Sequence, residues 1–511
     1  MSESRVHKSL LNAKVNLVFY FLSLFFAFFS RKIFLDCLGA EFIGLTGTLG
    51  NILGYLNLAE LGVGGAISFF LFKPIQSHDC KKINEIISVF GYLYHKIGLI
   101  ILSAGIIISC FFPFFFAKEE ISLGIVYFAF YSFLGSSLIG YFINYRQILL
   151  TADQKNYVVA IYFQSAGLVK IALQILLAFY YRNLYVWVAI EFVFGLIGCA
   201  VLNWKINKEY PWLKSNIGSG KLLLKKYPGI LTNTKQIFIH KIKDFILMHS
   251  DEIMVYAFVS LKMVAYYNNY TMIISKLSQL FTNALDSVRA GVGNLVAENN
   301  KENIKKVFWE LMAIRYFIAG LMCFTIFYFL EPFISLWIGP QYILEKQILI
   351  LLLINLYIMQ SRGVVDIFNH AYGLYADTWS AWTELIINVS ITIIVGMKYG
   401  IIGILLGKLV SVFIIVVLWK PYYLFSQGFK LPISHYWKGV LRYHIIFILS
   451  FTGTYFIVKI FSLSVESSLY KLILYGGLIT LIYLTINIPL LFFVGYGTKD
   501  FVKRFKTTNK L

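Results

Sequence analysis

Ionisable side chains are concentrated in a stretch, residues 222–260, that is otherwise apolar and long enough to cross a membrane. They fall at helical spacing, so their polar groups gather on one broad face of a helix. A charge at membrane depth is costly, and such residues usually face a protein interior or a water-filled cavity. The stretch is therefore predicted to be a helix that lines an aqueous cavity. Its charged candidates are Lys235, Lys241, Lys243, Asp244 and Asp251.

Basic residues also lie within other apolar runs, where they outnumber the acidic ones. A group of intramembrane cations without matching carboxylates indicates an anionic substrate or contact with anionic lipid. We favour an anionic substrate, although lysines near a membrane surface can also extend to the interface. The predicted substrate-binding cations are Lys235, Lys241, Lys243, Arg289, Arg315 and Arg362.

Acidic residues within the apolar runs are candidates for ion coupling or gating. Each could bind a proton or a cation, or could neutralise a nearby basic residue. Residues three or four positions apart on a helix lie close enough to pair. This spacing predicts pairing of Lys241 with Asp244, Asp286 with Arg289, and Arg362 with Asp366. The predicted coupling or gating residues are Glu60, Asp244, Asp251, Asp286 and Asp366.

No motif for a chemical reaction stands out. The segment from Gly403 to Lys408 has too few residues between its glycines for a phosphate-binding loop, and no Ser or Thr follows the lysine. The 5 cysteines are scattered and lack metal-binding spacing. No catalytic triad or pair of loop carboxylates is evident. We therefore predict a protein that is not an enzyme and that uses no cofactor and no metal.

The elements that would position these charges are membrane-spanning helices. Hydrophobic residues make up 59% of the chain and charged residues 14%, against roughly 25% charged in average proteins. Apolar runs of about 20 residues can each cross a membrane as a helix. The sequence predicts an all-α polytopic membrane protein with about 14 transmembrane helices.

The distribution of basic residues predicts the orientation of the chain. With both termini in the cytoplasm, the basic residues outside the helices lie mostly on the inner side, as the positive-inside rule requires. The net charge of +20 is thereby explained without nucleic acid as a partner. We expect a multi-pass protein with both termini cytoplasmic.

A polar stretch rich in lysine, with proline and glycine, covers about residues 205–226 and predicts a linker between two six-helix lobes. The sequence Leu61-Gly62-Val63-Gly64-Gly65 recurs as a similar run at 290–294, as expected for a transporter built from repeats. Overlaying the repeats aligns Glu60 with Arg289, and the two could form a gating pair. The alternative is that Glu60 forms hydrogen bonds only within its own lobe and that Arg289 pairs only with Asp286. The predicted segments are an N-terminal lobe at 1–207, a cytoplasmic linker at 208–227, a C-terminal lobe at 228–425, and two additional helices with a basic cytoplasmic tail at 426–511.

Several motifs, in this order, resemble those of one transporter family. They are NLAELGVGGA at 57–66, SD at 250–251, YYNNY at 266–270, GNLVA at 293–297, FISLWIG at 333–339, AYGLY at 371–375 and GIIGILLG at 400–407. Their order and spacing resemble the polysaccharide repeat-unit flippases, for O-antigen and capsule, of the multidrug/oligosaccharidyl-lipid/polysaccharide (MOP) exporter superfamily. The resemblance covers roughly residues 10–425.

The resemblance implies two six-helix lobes around a central cationic cavity, with two additional C-terminal helices. It implies that undecaprenyl-diphosphate-linked oligosaccharide moves from the inner to the outer leaflet by alternating access, for lipopolysaccharide O-antigen, capsule or other polysaccharide biosynthesis. The expected location is the bacterial cytoplasmic membrane, with membrane lipids, a glycan polymerase and glycosyltransferases as partners. The alternatives are a multidrug/cation antiporter or a peptidoglycan-precursor flippase of the same superfamily, and, less favoured, a membrane glycan polymerase or acyltransferase.

Overall fold

The computed structural model shows a helical membrane protein. Its described residues form helices and contain no strand, which confirms the predicted all-α class. The chain divides into two compact units, Met1–Ala265 (unit 1) and Tyr266–Leu511 (unit 2). The lobe boundaries expected from the sequence, with a linker at 208–227, remain a prediction. The structure describes residues 5–60, 62–117, 119, 121–153, 155–286, 292–293, 295–296, 298–374, 377–461 and 468–508.

Among the described residues, 11 helices are long and apolar enough to cross a membrane. The other three of the roughly 14 expected crossings are interrupted or more polar. One is interrupted at residues 57–62, and two carry more polar side chains, Gly229–Phe258 and Leu261–Asp286. Helices suit a membrane because every backbone polar group must be satisfied within the segment. The chain is a multi-pass membrane protein.

In unit 1 several helices pack against helices that are not their neighbours in sequence. α5 packs against α4 and α7, α6 packs against α1 and α7, and α8 packs against α2 and α3. The helix bounds are α1 (Arg5–Leu38), α2 (Ala40–Leu56), α3 (Val63–Gln76), α4 (Cys80–Ser109), α5 (Leu123–Phe142), α6 (Ser165–Tyr181), α7 (Leu184–Glu209) and α8 (Gly229–Phe258).

The lysine-rich stretch between α7 and α8 is held against α4. The backbone N–H of Lys214 donates to Asn84 at 2.6 Å, and that of Asn216 donates to Ser88 at 2.8 Å. A Cβ at Gly220 would lie 2.6 Å from the carbonyl oxygen of Ser88, so only glycine permits this approach. The stretch predicted as a linker is therefore a packed part of unit 1.

Unit 2 is built around an aromatic cluster near one end of its longest helix. The ring of Phe308 lies 5.3 Å from Phe368, 5.7 Å from Phe425 and 5.2 Å from Phe429, between ring centroids. The helix bounds are α9 (Leu261–Asp286, which begins in unit 1), α10 (Lys301–Trp337), α11 (Lys346–Ser361), α12 (Gly363–Ala371), α13 (Thr378–Tyr399), α14 (Ile401–Val412), α15 (Ser434–Ile460), α16 (Leu469–Val494) and α17 (Thr498–Thr508).

The glycines that follow Gly400 serve helix packing. A Cβ at Gly403 would lie 2.3 Å from the backbone oxygen of Val395, and one at Gly407 would lie 2.3 Å from the hydroxyl of Thr392. Small residues allow such close approach between membrane helices. The segment that resembled a phosphate-binding loop is thus the contact surface between α13 and α14.

The predicted basic tail contains an amphipathic helix, α17, that is fastened to α10. Arg504 Nε lies 3.0 Å from Oε2 of the buried Glu310, and Lys306 Nζ lies 3.2 Å from Asp500 Oδ1. The chain enters α17 through Gly497, which has φ +74° and lies against the backbone of α10. A side chain at position 497 would collide with α10, so the close approach of the two segments requires glycine there.

Another polar contact joins the start of α13 to the segment after α14. Lys420 Nζ lies 2.7 Å from Asp377 Oδ2, and Trp419 Nε1 donates to the same oxygen at 3.1 Å. The hydroxyl of Ser380 also donates to this oxygen, at 3.0 Å. Three side chains therefore contact one oxygen of the buried Asp377 carboxylate.

Candidate functional site

The first candidate site lies where the second predicted crossing is interrupted. α2 ends at Leu56, a 3₁₀ turn covers Asn57–Glu60, and α3 begins after Gly62. Gly62 has φ +94°, a conformation that glycine adopts at little cost. Glu60 is thus placed at a break in the helix, where backbone hydrogen bonding is irregular. Such breaks within membranes typically line cavities or sites.

Buried tyrosines from α4 and α5 hold the Glu60 carboxylate. Tyr141 Oη donates to Glu60 Oε2 at 2.6 Å, and Tyr94 Oη donates to Oε1. Tyr141 Oη also lies 3.0 Å from Asn57 Oδ1, which accepts a hydrogen bond, 3.2 Å long, from the hydroxyl of Ser137. The group is an ionisable carboxylate in a cluster of polar side chains, which can bind a proton or a cation.

A second polar cluster in unit 1 connects α2 with α8. Asn51 Nδ2 donates to Glu252 Oε2 at 2.6 Å, while Asn51 Oδ1 lies 2.7 Å from His249 Nδ1. Tyr55 Oη donates to the carbonyl oxygen of Ile246 at 3.3 Å. The predicted coupling residue Asp251 is buried next to Glu252 in the same helix. Part of the polar face of α8 therefore contacts α2.

The cationic face predicted on α8 can be placed only in part. Lys235 is exposed near the start of the helix. The side chains of Lys241, Lys243 and Asp244 lie outside the described part of the chain, although their backbone belongs to α8. Their role in binding an anion, and the predicted pairing of Lys241 with Asp244, remain predictions.

Of the residues in the predicted gate, the structure describes the side chain of Glu60 alone. Glu60 is hydrogen-bonded within unit 1, as described above. Asp286 is the last residue of α9, with its side chain outside the described residues, and Arg289 lies wholly outside them. Pairing of Glu60 with Arg289, or of Asp286 with Arg289, remains a prediction.

The remaining predicted cations meet where α11 continues into α12 in unit 2. α11 ends at Ser361 and α12 begins at Gly363, and Arg362 between them has helical backbone dihedrals, φ −65° and ψ −23°. The pairing predicted for Arg362 is confirmed, since its Nε lies 3.3 Å from Asp366 Oδ2. Arg315 in α10 is only 4% exposed, and a Cβ at Gly363 would lie 3.0 Å from its guanidinium carbon. The structure thus brings two predicted substrate cations together where α11 meets α12.

Several residues of these clusters had no recognisable signal in the sequence. Tyr94 and Tyr141 are two of 35 tyrosines, and Asn51 is a single amide in an apolar helix. Within the described ranges, no group of three His, Cys, Asp or Glu side chains could hold a metal ion. The chemistry of these sites is that of hydrogen bonding, protonation and ion binding.

Comparison with known proteins gives similarity at the level of the fold. No protein-family model matches the chain, and no curated protein matches its sequence. A solved structure of the lipid II flippase MurJ, in an inward closed conformation, matches with TM-score 0.63 and 18% identity. The match covers 94% of this chain and 98% of the flippase.

Multidrug transporters also match. An inward-facing multidrug resistance MATE family transporter of the MOP superfamily has TM-score 0.60 and 12% identity, over 81% of this chain and 95% of its own. A MATE structure in a bent conformation has TM-score 0.51 and 14% identity, over 83% of this chain and 94% of its own. These similar structures are a flippase and transporters rather than enzymes. The chain is therefore an all-α polytopic membrane protein with the fold of the MurJ and MATE transporters.

Proposed function

We propose that this protein is a flippase that moves undecaprenyl-diphosphate-linked oligosaccharide repeat units from the inner to the outer leaflet by alternating access. The units would serve assembly of O-antigen, capsule or another surface polysaccharide. The protein would act in the bacterial cytoplasmic membrane, with both termini in the cytoplasm. It would receive its substrate from glycosyltransferases and deliver it to a glycan polymerase.

The extent of the shared fold carries this proposal. The lipid II flippase covers 94% of the chain, whereas the MATE transporters cover 81% and 83%. The chain has two helices after the second predicted lobe, α15 and α16, so a match over nearly its full length must include that region. A lipid-linked substrate agrees better with this longer fold than a soluble drug does.

Charge provides the second line of support. Embedded cations are suited to a diphosphate, and a low-dielectric wall strengthens their attraction for it. We assign this role to Lys241 and Lys243 of α8, with Lys235 and Arg289 as further candidates, and to the buried Arg315 of α10. Glu60, Asp251 and Asp286 are the candidates for ion coupling or gating, with Asp244 and Asp366 as partners of nearby cations.

One observation favours a second candidate, a cation-coupled antiporter. The Glu60 carboxylate, held by two tyrosines at a helix break, is the kind of embedded acid that drug/cation antiporters use. A flippase driven by an ion gradient could use the same group. Glu60 therefore bears on the energy source, and the identity of the transported molecule separates the two candidates.

Complementation of a flippase-null strain with defined repeat units tests the proposal. The wild-type chain should restore surface glycan, and Lys241→Gln with Lys243→Gln should abolish export while membrane insertion is retained. The matched control is Lys221→Gln with Lys225→Gln, which removes two exposed charges from the short helix Gly220–Lys226 and should leave export intact. Normal glycan from the Lys241/Lys243 double variant would refute the cationic site. Drug efflux without complementation would favour the antiporter.

A further inference from the structure

Unit 2 contains a cavity of about 470 Å³ that is separate from the polar clusters of unit 1. It is walled by α10, α11, α15 and the π-helical segment Phe413–Trp419 that continues α14. Each wall belongs to a helix long and apolar enough to lie in a membrane. Val416 and Val440 are buried in the wall, whereas Phe413 and Ile354 are 49% and 40% exposed. The cavity therefore opens to the surroundings beside these exposed residues.

The one charged residue of the cavity lining, Arg362, lies toward one end with Tyr436 and Trp437. Arg362 directly follows α11, and Tyr436 and Trp437 lie in the first turn of α15. Ile354 lies eight residues before Arg362, which is about 12 Å along a helix. Tyrosine, tryptophan and arginine at helix ends are typical of the membrane interface, while the apolar part lies deeper. The lining thus carries its charge at one end, and its deeper part is apolar apart from the paired Tyr357 and His444.

We propose that this cavity binds one acyl chain of a membrane phospholipid, with the lipid phosphate on the guanidinium of Arg362. In a bilayer, hydrocarbon is the solvent, so an apolar cavity open at this depth is filled by a chain. Taking a methylene group to be about the size of a water molecule, roughly 30 Å³, the cavity holds on the order of 15 methylenes. That matches one acyl chain. The polyprenyl chain of the proposed substrate is several times longer.

Charge at the polar end specifies the headgroup. Arg362 uses Nε to contact Asp366, so its terminal amino groups are the part of the fork that can bind a phosphate. Asp366 lies beside it as a negative group, which suits a headgroup ammonium. A headgroup with one phosphate and one ammonium, as in phosphatidylethanolamine, complements both charges. This assigns Arg362 to a resident lipid and not to the transported substrate, and it does not depend on what the protein transports.

The cavity also has features of a built site. Its π-helical wall is a wide helical turn, a feature frequent at functional sites. Tyr357 Oη lies 3.2 Å from His444 Nδ1 within the lining, so polar groups in the cavity are ordered by each other. The hydroxyl of Ser361 donates to the carbonyl oxygen of Ile358 at 3.1 Å. The polar groups of the wall therefore have hydrogen-bond partners within it.

Native mass spectrometry of the delipidated full chain tests the proposal. The wild type should retain one phosphatidylethanolamine in preference to phosphatidylglycerol. Val416→Trp should fill the cavity and lose this lipid, whereas Ile414→Trp should retain it. Ile414 lies in the same π-helical segment, is 39% exposed and does not line the cavity, so it is a matched control. Equal retention by the two folded variants would refute the site.

A charge variant keeps the test decisive if Val416→Trp fails to fold. Arg362→Gln should raise the Kd for phosphatidylethanolamine roughly tenfold or more, because a hydrogen bond to a charged group is lost. Arg442→Gln, an exposed arginine in α15 outside the cavity, should leave the Kd unchanged. An unchanged Kd for Arg362→Gln, a preference for phosphatidylglycerol, or displacement by a polyprenyl phosphate would each overturn the proposal.

Discussion

Replacing Tyr141 with phenylalanine is expected to weaken the polar cluster around Glu60. The change removes only a hydroxyl group, which lies 2.6 Å from Glu60 Oε2 and 3.0 Å from Asn57 Oδ1. That hydroxyl has one proton, so one hydrogen bond is lost. A hydrogen bond to a charged group contributes about 1.5–3 kcal/mol. Because Tyr141 is buried and water does not easily replace its donor, the free energy of unfolding should fall by about 2 kcal/mol.

Denaturant unfolding of the purified protein in mild detergent measures this change. The control is Tyr131→Phe in the same helix, since the Tyr131 hydroxyl pairs with the neutral Ser109 at 2.7 Å and the residue is exposed. Its loss should cost less than about 1 kcal/mol. Glu60→Gln should reduce the effect of Tyr141→Phe by removing the charged acceptor, with a coupling energy of about 1–2 kcal/mol.

Two results would refute the reasoning. Equal destabilisation by Tyr141→Phe and Tyr131→Phe would show that the charged acceptor adds nothing. Strict additivity of Glu60→Gln and Tyr141→Phe would show that the carboxylate and the hydroxyl do not interact in the folded protein.

Gly403→Ala should lower the yield of folded protein because its Cβ would meet the backbone of α13, whereas Gly477→Ala, with open space around it, should not. Arg504→Gln should leave the buried Glu310 carboxylate without its ion pair and lower the free energy of unfolding by about 1 kcal/mol, a value reduced by the exposure of the arginine. Burial would raise the pKa of Asp377, but hydrogen bonds from its neighbours outweigh burial and hold that pKa below its usual 3.8. The ionised carboxylate therefore stabilises the fold at neutral pH. Unfolding measurements should show this contribution disappearing as the pH falls below 3.8, and Asp377→Asn should lack it.

The helices were largely predictable because long apolar runs leave few alternatives in a membrane. Of the roughly 14 crossings expected, 11 are long apolar helices among the described residues, and α16 is one of them. The break beside Glu60 was not predictable. The apolar run that contains Glu60 was expected to be a single crossing, yet one helix ends at Leu56 and the next begins after Gly62. Hydrophobic periodicity continues across such breaks, and a glycine can equally mark close packing or a left-handed turn.

For the candidate sites, the sequence identified the unusual charged residue but not the partners that other helices supply. Glu60 and Arg362 could be selected because a charge is unusual in an apolar run. The pairing of Arg362 with Asp366 followed from helical spacing, which is a local property. The tyrosines that hold Glu60 come from two other helices, so their identity depends on tertiary packing that one sequence does not reveal. The amphipathic α17 was likewise expected only as a basic tail, because its partner Glu310 lies far away in the chain.

The fastening of α17 to α10 has a consequence for biosynthesis. Arg504 contacts Asn303, which precedes it by 201 residues, as well as Glu310 close by in α10. At translation rates of about 5–20 residues per second, α10 waits roughly 10 to 40 seconds for this partner. During that interval the Glu310 carboxylate must remain hydrated or protonated, and the end of α10 is open to chaperones and proteases. Docking of α17 would then supply the ion pair to Glu310 and cover this end of α10.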